Sequence, residues 1–223
     1  MNKRKTARIT GWALVVMAIL AGFSLGYAFP EFNQTGNLES LTHLIQARQA
    51  LYVSMLIGLF VIVLLDLLVT YTLYHYFEEV NKTVSFIAAI FRMLYTLFFG
   101  VAIYFLIGNA ANHELSNLQI HQNFDLFETI WNWGLVIFGF HLILIGYLMM
   151  VQNAIYKLLV YLMFLAGASY VIVPFLKEGP TNLEIVAKVE LILAFPMAIG
   201  ELGFAIWLIV KGGKSIAKES DSN

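Results

Sequence analysis

Four side chains in this sequence carry chemistry where chemistry is expensive: Asp66, Arg92, His141 and Glu201, each embedded in a long apolar run. Carboxylates and imidazole exchange protons near ordinary pH, and a guanidinium pairs with carboxylates or holds anions through several donors. In hydrocarbon such groups face the interior of a helix bundle, pair with one another and mark ion, ligand or proton sites. Two carboxylates against one arginine leave one negative charge uncompensated unless His141 is charged or a carboxyl keeps its proton. The group therefore predicts a shared, titratable proton. The alternative is a buried ion-pair network that only fixes helix association.

Counting from the cytoplasmic end of each helix at ~1.5 Å per residue puts Asp66 ~16 Å deep, Arg92 ~12 Å, His141 ~15 Å and Glu201 ~13 Å. The four thus share one layer. Thr70 and Tyr74 follow Asp66 at four-residue steps, and Tyr95 and Thr96 lie three and four residues after Arg92. These predict a polar seam running from the layer to the mouth of the bundle, close to His75. Tyr170, one turn before Pro174, is a further supporting polar residue, and Pro174 and Pro196 are positions where a helix bends or packs locally.

The elements that must position these groups are spanning helices. The chain has 223 residues, 60% hydrophobic and 12% charged, with a mean hydropathy of +0.79. Runs of roughly 20 apolar residues each cross a bilayer, and six occur: Ile9 to Phe29, Leu51 to Phe77, Val84 to Gly108, Ile130 to Val151, Ile155 to Leu176 and Val189 to Val210. The first follows a basic start but is too long for the roughly 7–15-residue core of a cleaved signal. Tight turns at Glu78 to Thr83 and Gln152 to Ala154 make antiparallel hairpins. The longer connections are Pro30 to Ala50, Asn109 to Thr129 and Lys177 to Lys188.

One side of the bundle collects Lys3, Arg4, Lys5, Arg8, Lys82, Lys157, Lys211, Lys214 and Lys218; the other has Arg48, Lys177 and Lys188. The richer side is cytoplasmic, so both termini are inside. Trp12, Trp131, Trp133 and Trp207 are expected near helix ends at headgroup level. Residues 1–212 form a single all-α, six-helix transmembrane domain, and 213–223 are a polar cytoplasmic tail expected to be disordered. Gly22 and Gly26 make a GxxxG step expected to serve helix packing.

Several functions are excluded. A net charge of −1 offers no surface for nucleic acid. The absence of cysteine removes thiol chemistry and cysteine metal sites. His113 and His121, with Glu114, Asp125 and Glu128, have ligand chemistry but no metal-site spacing, and read as a solvated external connection. Glu190 reads as interfacial, without a role.

The segments that carry the charged layer also carry a resemblance. They are Thr6 to Gly11, Leu65 to Tyr74, Val80 to Lys82, Phe91 to Met93, Phe138 to His141, Gly146 to Leu148, Ala166 to Tyr170, and Gly200 to Leu202 with Trp207 to Gly212. With these blocks in order over nearly its whole length, the chain resembles the bacterial membrane-protein family called domain of unknown function 4386. The resemblance implies a bacterial inner-membrane location and no activity. The chain departs from the family pattern in its polar segment Leu41 to Gln49, with His43 and Arg48, and in the bulk of Trp131 and Trp133.

Three functions remain open. The first is a small-molecule or proton-linked transporter or sensor, with Arg92 binding an anion and Asp66, Glu201 and His141 handling protons; no internal repeat supports it. The second is an intramembrane enzyme using His141 and a carboxylate as acid and base, with Ser169 as an available hydroxyl. The third is a structural or accessory subunit. No catalytic residue, cofactor or metal is identified; the expected partners are the lipid bilayer and a small molecule or proton, with the oligomeric state open.

Overall fold

Apolar runs long enough to span hydrocarbon satisfy their backbone internally, and only as helices. A computed structural model of the chain describes residues 2–33, 41–112, 115–153, 155–178 and 183–213, without the side chains of Glu178, Leu183, Ala187, Glu190 and Pro196. Six of its helices are long and apolar enough to cross a membrane. These are α1 (Lys3–Phe32), α3 (Gln49–Phe77), α4 (Lys82–Ala111), α5 (Asn117–Gln152), α6 (Lys157–Glu178) and α7 (Leu183–Val210), with a short α2 (Leu41–Ala47) between the first two. The protein is a multi-pass membrane protein.

Each spanning helix packs on its neighbour in sequence, and α7 returns to α1, so the six close into a ring. Two devices close it. Gly11 lets α1 approach until an added Cβ would lie 2.6 Å from the Ala205 carbonyl oxygen of α7. Arg4 then donates to the carbonyls of Ile209 (2.6 Å) and Gly212 (2.8 Å), so a cation meets the negative, unsatisfied end of α7. Both described chain ends therefore lie at one end of the bundle. At another seam of the ring, Gly139 of α5 and Gly167 of α6 face each other, and a Cβ on either would come within 2.8 Å of the other's carbonyl oxygen.

Several expectations are corrected. The fourth helix is longer than the expected span Ile130 to Val151: α5 starts at Asn117 and absorbs most of the expected external connection. Its Ser116 and Gln119 form a reciprocal capping box, and Ile120, Phe124 and Phe127 are buried on one face. At ~1.5 Å per residue α5 is ~54 Å long, well beyond a ~30 Å hydrocarbon core. Trp131 and Trp133 consequently lie inside α5 rather than at its end, with Trp131 packed on Phe99 and Phe127. The polar segment after Leu41 forms α2, docked by Thr42, whose N–H and hydroxyl both donate to Asn117 Oδ1.

Within α1 the turn widens to π geometry over Gly22–Ala28. Gly22 and Gly26 point outward, and an added Cβ would meet nothing within 4 Å, so they do not pack helices within this chain. Pro174 and Pro196 lie inside continuous helices. All of the expected tail 213–223 except Gly213, and His113 and Glu114, fall outside the described residues.

At the end away from the termini, Phe29, Phe32, Tyr52, Phe124 and Phe127 form an aromatic plug, with ring centroids 4.9 to 6.4 Å apart along its contacts. Four of them are completely buried and Phe29 nearly so. The interior is closed on that side.

Candidate functional site

Arg92 is the hub of the buried polar layer. From α4 its Nη2 donates to Asp66 Oδ1 of α3 at 2.5 Å, and its Nη1 lies 3.3 Å from His141 Nε2 of α5. Asp66, Arg92 and His141 are at most 2% exposed. The guanidinium carbon also stands 5.3 Å from the ring centroid of Phe138, which stacks on His141 three residues later on the same helix.

These contacts assign the imidazole. Its Nδ1 lies 2.8 Å from the carbonyl oxygen of Ala88, one turn before Arg92, and a carbonyl only accepts, so Nδ1 carries a proton. Guanidinium only donates, so Nε2 is the acceptor. His141 is therefore the neutral Nδ1–H tautomer, with both nitrogens committed. The triangle ties α3, α4 and α5 together and balances one carboxylate with one guanidinium. Two buried atoms within it, Asp66 Oδ2 and Arg92 Nε, have no hydrogen-bond partner among the described residues.

Glu201 stands apart. Its Oε1 accepts from the Tyr170 hydroxyl of α6 at 3.0 Å, and among the described residues no cation lies within ion-pair distance of it. It nevertheless lines the same cavity, of about 20 Å³, as Arg92 and His141. Leu14, Leu73, Leu142, Ile145, Met163 and Phe204 complete its lining. A space of this size holds about one water.

The hydroxyls of the expected seam turn elsewhere. Thr70 donates to the Asp66 carbonyl and Thr96 to the Arg92 carbonyl, both at 2.8 Å and both within their own helices. Tyr95 is stacked on Phe99 and against Phe138, and Tyr74 packs on Phe86 and His75. His75 meets Glu78 at 3.0 Å at the bundle end. Of the five supporting residues, Tyr170 is the one whose hydrogen bond, among the described residues, goes to the side chain of a member of the charged layer. Ser169 donates to its own helix at the Leu165 carbonyl, 2.8 Å away, which commits its hydroxyl proton locally.

Outside the layer, His121 lies 3.8 Å from Asp125 along α5, and Asn33 donates to Glu128 at 3.0 Å. Among the described residues no three His, Asp or Glu side chains group as a metal site.

With this geometry in place, comparison with known proteins gives a family of unknown function. The profile described as "Domain of unknown function (DUF4386)" matches residues 9–212. An uncharacterised protein of Archaeoglobus fulgidus is 31% identical over 159 residues, covering 71% of this chain and 84% of that protein. No solved structure matches the chain. The chain belongs to the DUF4386 family.

Proposed function

We propose that this DUF4386 member is a proton-linked transporter or sensor of the cell membrane, in which Glu201 carries the exchangeable proton and Asp66, Arg92 and His141 supply a fixed charge opposite it. The observation that carries this reading is the isolation of Glu201 beside the cavity it shares with Arg92 and His141. Asp66 already neutralises Arg92. His141 has no free nitrogen with which to take up the proton that balances the second carboxylate. That proton falls to Glu201, hydrogen-bonded by Tyr170 and lining the same small cavity as Arg92 and His141.

The size of the cavity favours a proton over an organic ligand, because pockets for small molecules run to roughly 300–1,000 Å³. The commitment of both His141 nitrogens and of the Ser169 hydroxyl removes support from the enzyme reading. The lysine and arginine excess at the end that holds the termini supports a cytoplasmic placement of both. Access is then from the cytoplasm, since the aromatic plug shuts the other end. The lipid bilayer is the immediate partner.

Proteoliposomes with a trapped pH indicator test the transport form. An imposed pH gradient should decay faster with wild type than in empty vesicles, and Glu201→Gln should return the rate to that of empty vesicles. Equal decay in wild-type and empty vesicles would rule out transport and leave sensing. Fast decay that survives Glu201→Gln would remove Glu201 from the pathway.

A further inference from the structure

The amino-terminal cations divide into two kinds. Lys3 pairs with Glu79 at 2.7 Å and Arg4 caps α7, so both are structural. Lys5 and Arg8 are exposed and have no acidic or hydrogen-bonding partner among the described residues. Three residues apart on a helix, they present their charges to one side. There they form the rim of an open groove of about 650 Å³ between α1 and α3. Below the rim the groove is apolar, lined by Trp12, Val16, Leu65 and Leu68.

The groove has the dimensions and polarity of one lipid. Lys5 to Val16 spans ~16 Å at ~1.5 Å per residue, about half of a ~30 Å hydrocarbon core and so one leaflet deep. Trp12, 55% exposed, stands one turn below Arg8 where an indole meets the glycerol region. Guanidinium and ammonium side by side match a phosphate. A second groove, of about 420 Å³ between α6 and α7, makes the contrast: its lining is apolar apart from Tyr156 and Lys211, and that lysine donates to the Tyr156 hydroxyl.

We propose that the α1/α3 groove binds an anionic membrane lipid, its phosphate held by Lys5 and Arg8 and an acyl chain lying along Val16, Leu65 and Leu68. Basic clusters at the membrane surface attract anionic headgroups, and removal of two cations should weaken binding on the order of tenfold.

The test titrates the purified full chain in detergent with phosphatidylglycerol bearing brominated chains, reading tryptophan quenching. Phosphatidylcholine with the same chains and inorganic phosphate are the comparison arms. Phosphatidylglycerol should bind wild type more tightly than phosphatidylcholine does, and inorganic phosphate should not displace it. Lys5→Ala/Arg8→Ala should lose on the order of tenfold. Lys82→Ala/Lys157→Ala, an equal loss of exposed charge elsewhere, should bind as wild type. Leu68→Trp, which fills the groove and keeps the rim, should weaken binding too. The proposal is overturned by equal loss in both double variants, by equal affinity for the two lipids, by displacement with inorganic phosphate, or by unchanged binding in Leu68→Trp.

Discussion

Arg92 and Glu201 line one cavity, yet their surroundings differ in kind. Arg92 is bonded on two sides, by Asp66 on α3 and His141 on α5, with Phe138 under its plane. Glu201 touches one hydroxyl, that of Tyr170. The first arrangement balances one guanidinium with one carboxylate; the second gives its carboxyl a hydrogen bond and, among the described residues, no cation at ion-pair distance. Membrane-buried polar groups thus serve two ends in one layer. Arg92 links α3, α4 and α5, and the proposed function assigns the exchangeable proton to Glu201.

The contrast breaks most severely at Arg92. Arg92→Leu leaves the fully buried Asp66 without a counter-charge and should cost about 3–5 kcal/mol in a detergent unfolding titration. Adding Asp66→Leu should recover much of that loss. A single variant as stable as the double would mean that the triangle holds nothing together.

Next in size is the crossing that sets α5 against α6, two residues from His141 and three from Tyr170. Gly139→Val forces side-chain atoms onto the Gly167 carbonyl and should cost about 1–3 kcal/mol. Gly26→Val, facing outward, should leave the unfolding midpoint near wild type. A smaller effect is expected at Tyr170→Phe, where loss of one hydrogen bond should cost about 0.5–1.5 kcal/mol and change the pH response assigned to Glu201.

The smallest effect lies outside the membrane. The hydrogen bond and charge of Lys3 hold the Glu79 carboxyl below the usual carboxylate range. A carboxyl lowered in the folded state stabilises at neutral pH, and that contribution is lost as pH falls through its folded pKa. Wild type and Glu79→Gln should therefore differ marginally at neutral pH and low salt, and converge in acid or high salt. A large gap in acid would contradict the assignment.

The six spans and the four charged positions were legible because hydropathy and isolated charge are local signals. Ser116 and Gln119, followed by Ile120, Phe124 and Phe127 on one face, carried the early start of α5 in plain helical pattern, yet the polar composition of Asn117 to Thr129 masked it. The outward turn of Gly22 and Gly26, and the separation of Glu201 from Arg92, depend on helix rotation, which residue spacing does not give. Thr70 and Thr96 read as seam members because four-residue spacing marks a face. The same spacing lets each hydroxyl reach the carbonyl one turn back on its own helix, and there it stays.

Infrared titration of the purified protein tests the central claim most directly. One protonated-carboxyl band should change with pH in wild type, vanish in Glu201→Gln and persist in a folded Asp66→Asn variant. A band unchanged by Glu201→Gln, or one that disappears with Asp66→Asn, would place the exchangeable proton in the triangle and contradict the account.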